Sequence, residues 1–249
     1  MTEFDFYQQR ILGGGVFTGN VLIQAKGEIG GSRNVFVKLQ SSAKNGLVYP
    51  TIGGVLTNPF KGRAKIFAGD LLEYNPGIEV EGGATIKVLK TYEVAKAASI
   101  TEVLIKRDGF RHIPFVGDIL MVAPSTVSGT GTGVTVTAVE STKDSAEGDV
   151  WKLTVSAAVT AAKGAILVEA DKAGAGAKGV VTNPNCYAPC DYDCIYDPAS
   201  ATDKFDGARY MLTPCLANDS TVLYKAKMSP IPAGVLALNR SRVQGWFSL

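Results

Sequence analysis

The chain has 249 residues, of which 46% are hydrophobic and 19% are charged. Enough apolar surface is therefore present to build a core, which excludes a disordered chain. The formal net charge is only +2, too small to favour nucleic acid or an anionic membrane as a partner. No apolar run approaches the ~20 residues of a membrane-spanning helix, and residues 1–10 lack the order of a signal peptide. We expect a soluble protein made in a cytosol.

Glycine and proline indicate the fold class. The 28 glycines and 11 prolines are scattered among β-branched runs, which is typical of short strands joined by tight turns. We predict an all-β fold, either a β-barrel or a compact β-sandwich with long loops and at most one or two short helices. The predicted divisions are an N-terminal arm over residues 1–20, a β-rich core of one or two subdomains over 21–181, and a Cys-containing loop with a C-terminal β segment over 182–249.

The first part of the chain alternates between unpatterned and strand-like stretches. The arm has no sustained period, so it is either a docking segment or a frayed terminus. Asn45-Gly46 tolerates positive φ and predicts a hairpin between the second and third strand-like runs. These runs lie at 21–25, 34–39, 47–52, 64–67 and 85–91.

The middle of the chain predicts one helix and two hairpins. Residues 92–101 contain mostly acceptable helix formers and predict the helix. Asp108-Gly109 is a strong hairpin signal after the run at 103–107, with a return strand through Phe110, His112 and Phe115. After a Ser/Thr/Gly loop at 125–133, residues 134–155 predict another hairpin, with valines on one face and threonines on the other.

One short element recurs: a glycine, a small or acidic residue, and two aliphatic residues that enter a strand. Glycine suits a turn whose backbone angle would be opposed by a side chain. So loose a pattern can recur by chance, so it supports a β scaffold and does not establish a repeat. The copies are Ala68-Gly69-Asp70-Leu71-Leu72, Val116-Gly117-Asp118-Ile119-Leu120, Lys163-Gly164-Ala165-Ile166-Leu167 and, more loosely, Ala233-Gly234-Val235-Leu236.

Few side chains in this sequence suit catalysis. Asp70 with Glu73, or Asp118, could serve as glycosidase carboxylates. Both aspartates directly follow a turn glycine, so we predict instead that they satisfy local backbone N–H groups. His112 is the sole histidine; with no nucleophile motif beside it, we predict a structural or surface role. The glycine clusters lack the sequence context of phosphate-binding loops. We therefore predict that the chain is not an enzyme, has no catalytic residues and needs no cofactor.

The last part of the chain begins with a cysteine-rich loop. Three interpretations stay open for its thiols: reduced side chains in a packed loop, which we favour, disulfides in an extracellular particle, or a zinc site, for which a second close pair of cysteines is missing. Further strands are predicted at 210–216, 221–226 and 235–238. The four cysteines are Cys186, Cys190, Cys194 and Cys215.

With these residues in view, the chain resembles the head decoration, or auxiliary capsid, proteins of tailed bacteriophages, including those of crAss-like phages. The polar arm, the first two glycine elements and the Ala/Gly/Thr/Val-rich stretch at 134–181 carry the likeness, which covers residues 1–181. The resemblance implies a β-rich virion protein on the outer surface of the capsid shell. Its partners would be the major capsid protein and other virion proteins, and further copies of itself in a possible homo-oligomer.

Candidate contacts with a shell are aromatic and basic residues near the two ends of the chain, because aromatic side chains are favoured interface anchors. Packing within the molecule is the competing interpretation, and the favoured one for Trp246. A head-fibre, tail or receptor- and glycan-binding module is the alternative function; a secreted polysaccharide hydrolase is disfavoured by the missing signal peptide. The candidates are Phe4, Phe6, Tyr7, Arg10, Trp246 and Phe247.

Overall fold

The computed structural model describes residues 21–26, 34–39, 54–80, 83–98, 100–109, 111–188, 191–195, 211–212, 215–216, 221–223, 228–239 and 243–246. Side chains are described over 54–75, 84–98, 100–109, 111–188, 191–192 and 228–238. Strands dominate these residues and one short helix accompanies them. The predicted all-β class is confirmed.

The strands of the described residues form four sheets. In chain order they are β1 Val21–Lys26, β2 Asn34–Leu39, β3 Gly54–Leu56, β4 Arg63–Ile66, β5 Leu71–Val80, β6 Gly83–Val88, β7 Thr91–Glu93, β8 Glu102–Lys106, β9 Ile119–Val122, β10 Thr130–Asp144, β11 Gly148–Val155, β12 Ile166–Glu169, β13 Gly174–Lys178, β14 Cys186–Tyr187, β15 Tyr192–Ile195, β16 Met211–Leu212, β17 Cys215–Leu216, β18 Thr221–Leu223 and β19 Val243–Trp246. The helix is α1, Ala233–Asn239.

The largest sheet closes on itself into a barrel. Its strand order is β7-β12-β9-β10-β11-β8, with β13 attached to β10, and every pairing is antiparallel. A bridge between Val94 and Ile105 joins β8 back to the end of β7, and the Ala95 N–H donates to the Leu104 carbonyl at 2.8 Å. Closure pairs the strands that an open sheet would leave as edges.

Alternate residues of the barrel strands point inward. Val134 and Val136 are buried in the barrel core, whereas Thr137 is exposed. Leu120 also faces this core, while its neighbour Met121 belongs to a separate cluster under β13. The predicted alternation of valine and threonine is confirmed because the side-chain period of a strand is two residues.

A second group of strands packs beside the barrel. The six-stranded sheet has the order β16-β3-β6-β5-β14-β17, and β15 pairs with β4. Its core contains Leu56, Phe60 and Ile86. The remaining sheet has the order β1-β2-β18-β19. Strands from both sides of residue 181 share sheets, and the predicted division there stays a prediction.

Several predicted strands and one hairpin are confirmed. The runs at 21–25 and 34–39 form β1 and β2, which pair antiparallel, and the run at 64–67 corresponds to β4. Strands β10 and β11 form the hairpin predicted at 134–155, although β10 begins earlier, at Thr130, and shortens the predicted loop. The hairpin at Asn45-Gly46 and the run at 47–52 lie outside the described residues.

The helix predicted over residues 92–101 is wrong. Its first residues belong to β7, and Val94 and Ala98 form isolated β-bridges. Tyr92 and Val94 are both buried in the barrel core. Packing with this period of two overrides the helix propensity of the stretch, which is a weak preference.

The hairpin predicted at Asp108-Gly109 is also wrong. Strand β8 pairs with β11, with Lys106 opposite Val150, and no strand is present in the described residues between β8 and β9. Pro114 lies in that connection and cannot donate a hydrogen bond to a ladder. The distant strand β11 supplies the partner that the local turn does not.

The strand predicted at 235–238 is helical, so the fourth copy of the glycine element is wrong. The Leu236 N–H donates to the Pro232 carbonyl at 3.0 Å, which closes the first turn of α1. A proline suits this end of a helix because its φ is already helical. Val235 packs against Met228 and Ile231 in a buried cluster, and this packing selects a helix over a strand.

Candidate functional site: a buried polar seam

Three of the glycine elements form the same type of turn. Gly69, Gly117 and Gly164 have φ of +92°, +88° and +82°. In each turn the residue after the glycine donates its N–H to the carbonyl three positions earlier, at 2.9, 3.1 and 3.0 Å. A positive φ at the third position defines a type II turn. The first three predicted copies are therefore confirmed as turns that start β5, β9 and β12.

The aspartates of the first two turns bind the backbone of their own turn. Asp70 Oδ2 accepts the Phe67 N–H at 2.8 Å, and Asp118 Oδ2 accepts the Phe115 N–H at 2.9 Å. The predicted local role of both carboxylates is confirmed. Both of these turns begin with a phenylalanine, Phe67 or Phe115. The sequence pattern did not include this residue, because it started one position later.

His112 connects the first turn to the barrel. Its side chain is fully buried, and Nε2 lies 2.9 Å from Asp70 Oδ2. The Thr91 N–H of β7 donates to Nδ1 at 3.3 Å, so Nδ1 carries no proton and Nε2 donates to the carboxylate. Both ring nitrogens are engaged, which is the structural role predicted for this histidine.

A lysine, a glutamate and an asparagine form the other end of the buried polar network. Lys90 Nζ lies 2.8 Å from Glu169 Oε1, and Asn58 Nδ2 donates to Glu169 Oε2 at 2.7 Å. Lys90 also donates to the Pro59 carbonyl at 2.9 Å and lies 5.0 Å from the centre of the Phe60 ring. We call the residues of this network the polar seam: Asn58, Asp70, Lys90, Thr91, His112, Asp118 and Glu169.

The polar seam lies between the six-stranded sheet and the barrel. Asn58 follows β3, Lys90 lies between β6 and β7, and Glu169 ends β12. The Lys61 ammonium donates to the Gly117 carbonyl, and a Cβ built on Gly62 would collide with the Phe115 ring. The loop after β3 therefore packs directly against the second glycine turn.

Burial raises the pKa of two side chains in this region. Desolvation raises the pKa of Asp118, although the nearby Lys90 charge opposes the shift. Desolvation also raises the pKa of Tyr92 well above its usual value, and the negative charges of Asp118 and Glu169 add to this effect. Within the described residues, Asp118 Oδ1 and Thr91 Oγ1 are buried atoms without a hydrogen-bond partner.

His112 is arranged to fasten the two sheets together and not to act as a general base. A general base needs an accessible lone pair, and both nitrogens of the His112 ring are occupied. The described polar groups of the seam instead bind loops and strands from both sheets. Hydrogen-bonded members of a buried polar network fix one arrangement of the elements they join, and Lys90, His112 and Glu169 are bonded in this way.

The cysteines are described only in part. Cys186 lies in β14 of the six-stranded sheet and is buried in its core. The backbone of Cys194 pairs with Ala64, and the backbone of Cys215 pairs with Tyr187. Cys190 and the side chains of Cys194 and Cys215 lie outside the described residues. Across the residues that are described, no group of three His, Cys, Asp or Glu side chains could hold a metal ion. The three interpretations of the thiols therefore stay predictions.

Most of the predicted contact residues lie outside the described part of the chain. Phe4, Phe6, Tyr7, Arg10 and Phe247 belong to this group. Trp246 ends β19, and its backbone is paired in parallel with Leu223 of β18. The role of all six residues at an interface stays a prediction.

Three important residues of the seam gave no signal in the sequence. Lys90 and Glu169 are 79 positions apart, and Asn58 and Glu169 are 111 apart. None of the three belongs to a short motif, so only the pairing of distant strands brings them together. A charged residue within a strand-like run, as Lys90 is in the run at 85–91, is the one weak indication.

Comparisons with known proteins found no matching family model, no matching curated protein and no matching solved structure. Among the described residues, no helix is long and apolar enough to cross a lipid bilayer.

Proposed function

We propose that this chain is a virion structural protein, an auxiliary or decoration protein that binds the outer surface of a capsid shell and stabilises its lattice. The observation that carries the proposal is the polar seam, in which the sole histidine and deeply buried charged groups fasten two β bodies together. A protein that resists deformation needs such a rigid scaffold.

The resemblance of residues 1–181 to head decoration proteins supports the same assignment, since two of its elements are the glycine turns that flank the seam. Binding at repeated lattice sites would add many weak contacts into a stable layer. The partners would be the major capsid protein and other virion proteins, and the location would be the capsid surface.

Co-sedimentation with assembled phage heads tests the proposal. The purified chain is expected to sediment with heads that lack their decoration layer and to saturate at a fixed ratio to the major capsid protein. Failure to bind any shell, together with affinity for a surface glycan, would replace the proposal with the fibre or receptor-binding alternative.

The predicted contact residues can be tested in the same assay. Replacing Phe4, Phe6 and Tyr7 by alanine is expected to lower the affinity for heads by about tenfold, because aromatic anchors dominate interfaces. Ile100→Ala is the matched control, since Ile100 is an exposed apolar residue of the barrel (56% accessible) far from the arm in sequence. Equal losses in both variants would show that the arm is not a specific contact.

A further inference from the structure

The side chains of Lys90 and Asn58 both bind the carboxylate of Glu169. One carboxylate holds both partners: Glu169 Oε1 is 2.8 Å from the lysine Nζ, and Oε2 is 2.7 Å from the asparagine Nδ2. The lysine Nζ is also 2.9 Å from the carbonyl oxygen of Pro59, the residue after Asn58. The amine, the carboxylate and the carboxamide are therefore held in one small group.

The surroundings of this group favour reaction over exchange with water. The Lys90 side chain is 1% accessible and that of Glu169 is 14% accessible, and the Phe60 ring lies beside the ammonium. The Asn58 carboxamide is fixed at both ends, because Oδ1 accepts the Val88 N–H at 2.8 Å and Nδ2 donates to the Val88 carbonyl at 2.9 Å. A backbone N–H on the amide oxygen polarises the carbonyl and would stabilise an oxyanion.

We propose that Lys90 and Asn58 form an intramolecular isopeptide bond, with Glu169 as the proton carrier. The new bond joins Lys90 Nζ to Asn58 Cγ, and the bond that breaks is Cγ–Nδ2. The chain would thereby crosslink itself without a cofactor or a second enzyme.

The reaction balances with the groups in place. Glu169 takes a proton from the Lys90 ammonium, and the resulting amine attacks Cγ of Asn58. The oxyanion that forms stays bound to the Val88 N–H. Glu169 then passes its proton to Nδ2 and removes one from Nζ, and ammonia leaves as the carbonyl reforms. Ammonia takes up the last proton and departs as ammonium, so the positive charge of Lys90 leaves with it and no electrons are exchanged.

Two features of the chain favour this route. Holding the amine and the carboxamide on one carboxylate replaces a bimolecular encounter with a unimolecular step, which raises the effective concentration by orders of magnitude. The usual loss of ammonia from asparagine, through attack by the next backbone N–H, is blocked at Asn58 because the next residue is Pro59.

The crosslink would join the two β bodies covalently. Asn58 lies in the loop between β3 and β4 of the second body, and Lys90 lies just before the first barrel strand, β7. Both ends of the bond are at the polar seam. The inference concerns the chemistry of this seam and does not depend on binding to a capsid.

Mass spectrometry of the purified full-length chain tests the proposal, after denaturation and reduction. The expected mass is lower than that of the unmodified sequence by the mass of one ammonia molecule. Fragment spectra of a protease digest are expected to contain one branched peptide that joins Asn58 to Lys90. A wild-type chain of unmodified mass after prolonged incubation, or a digest in which both residues lie in linear peptides, would overturn the proposal.

Variants separate this reaction from other losses of ammonia, such as succinimide formation at Asn45. Lys90→Met removes the amine and Glu169→Gln removes the proton carrier, so both are expected to lack the branched peptide. Glu93→Gln is the matched control, because Glu93 pairs with Lys106 at 2.5 Å in a second lysine–glutamate pair; it is expected to crosslink fully. A branched peptide in Glu169→Gln, or an undiminished ammonia loss in Lys90→Met, would also overturn the proposal.

Discussion

The His112 imidazole joins elements that are far apart in the chain. It donates to Asp70, which is 42 positions earlier, and accepts from the backbone of Thr91 at the start of the barrel. Its ring also lies 5.3 Å from that of Phe60, centre to centre. One side chain therefore contacts the first glycine turn, the first barrel strand and the loop after β3.

We expect His112→Ala to destabilise the fold by about 2–4 kcal/mol, because it leaves a cavity and removes one hydrogen-bond donor from the buried Asp70 carboxylate. His112→Gln should cost less, since its amide can still donate toward Asp70 from near the position of Nε2. Urea unfolding measures both free energies. A His112→Ala variant within about 0.5 kcal/mol of the wild type, the range of surface substitutions, would contradict this role.

Asp118 makes the stability of the fold depend on pH. Its pKa in the folded state is raised above the ordinary value of 3.8, first by desolvation. The folded state therefore binds this proton more tightly than the unfolded chain does. The resulting stability is fully present below pH 3.8 and is lost as the pH rises through the raised pKa.

We predict that Asp118→Asn becomes progressively more stable relative to the wild type as the pH rises from below that range toward neutrality. The comparison is made by urea unfolding at a series of pH values. Asp144→Asn should show the opposite trend, because backbone N–H groups of Ala146 and Glu147 lower the pKa of Asp144. Parallel curves for Asp118→Asn and the wild type would refute the assignment.

Among the elements, the glycine turns determine where three strands begin. The Gly164 turn is the simplest of them, because no atom lies within 4 Å of a Cβ built there and its φ is +82°. Gly164→Ala thus tests the backbone angle alone. We expect a loss of about 1 kcal/mol, the scale of the penalty for a side chain in the left-handed region.

Gly109→Ala is the matched control for this prediction. A Cβ at Gly109 also meets no atom within 4 Å, and its φ is not in the positive range. Thermal unfolding of the two variants should show a lower midpoint only for Gly164→Ala. Equal midpoints would mean that positive φ at position 164 is not needed for the turn.

The sequence predicts strands well where burial alternates locally. Val134 to Thr137 show the period of two directly, and the same alternation is present in the structure. It predicts badly where a distant strand decides the outcome. Residues 92–101 have helix formers but are held by bridges to β8 and to Ala161, and the hairpin signal at Asp108-Gly109 is overridden by the pairing of β8 with β11.

At the scale of the whole molecule, a closed barrel and a six-stranded sheet are fastened by buried charges. The sequence indicated structural roles for Asp70 and Asp118 because each follows a turn glycine. It indicated a structural or surface role for His112 because no nucleophile motif lies beside it. It could not identify Lys90, Glu169 and Asn58, since their contacts depend on the packing of one body against the other. Charges this deeply buried are costly unless they are paired, so the seam requires both bodies to be in place.

The central proposal is that the chain is a structural component of a virion shell. If a phage encodes the chain, as this proposal requires, quantitative mass spectrometry of that phage's purified virions is the most direct test. We expect the chain to be present in a fixed ratio to the major capsid protein, at a copy number set by the symmetry of the lattice. Absence from purified virions, or a few copies only, would contradict the proposal.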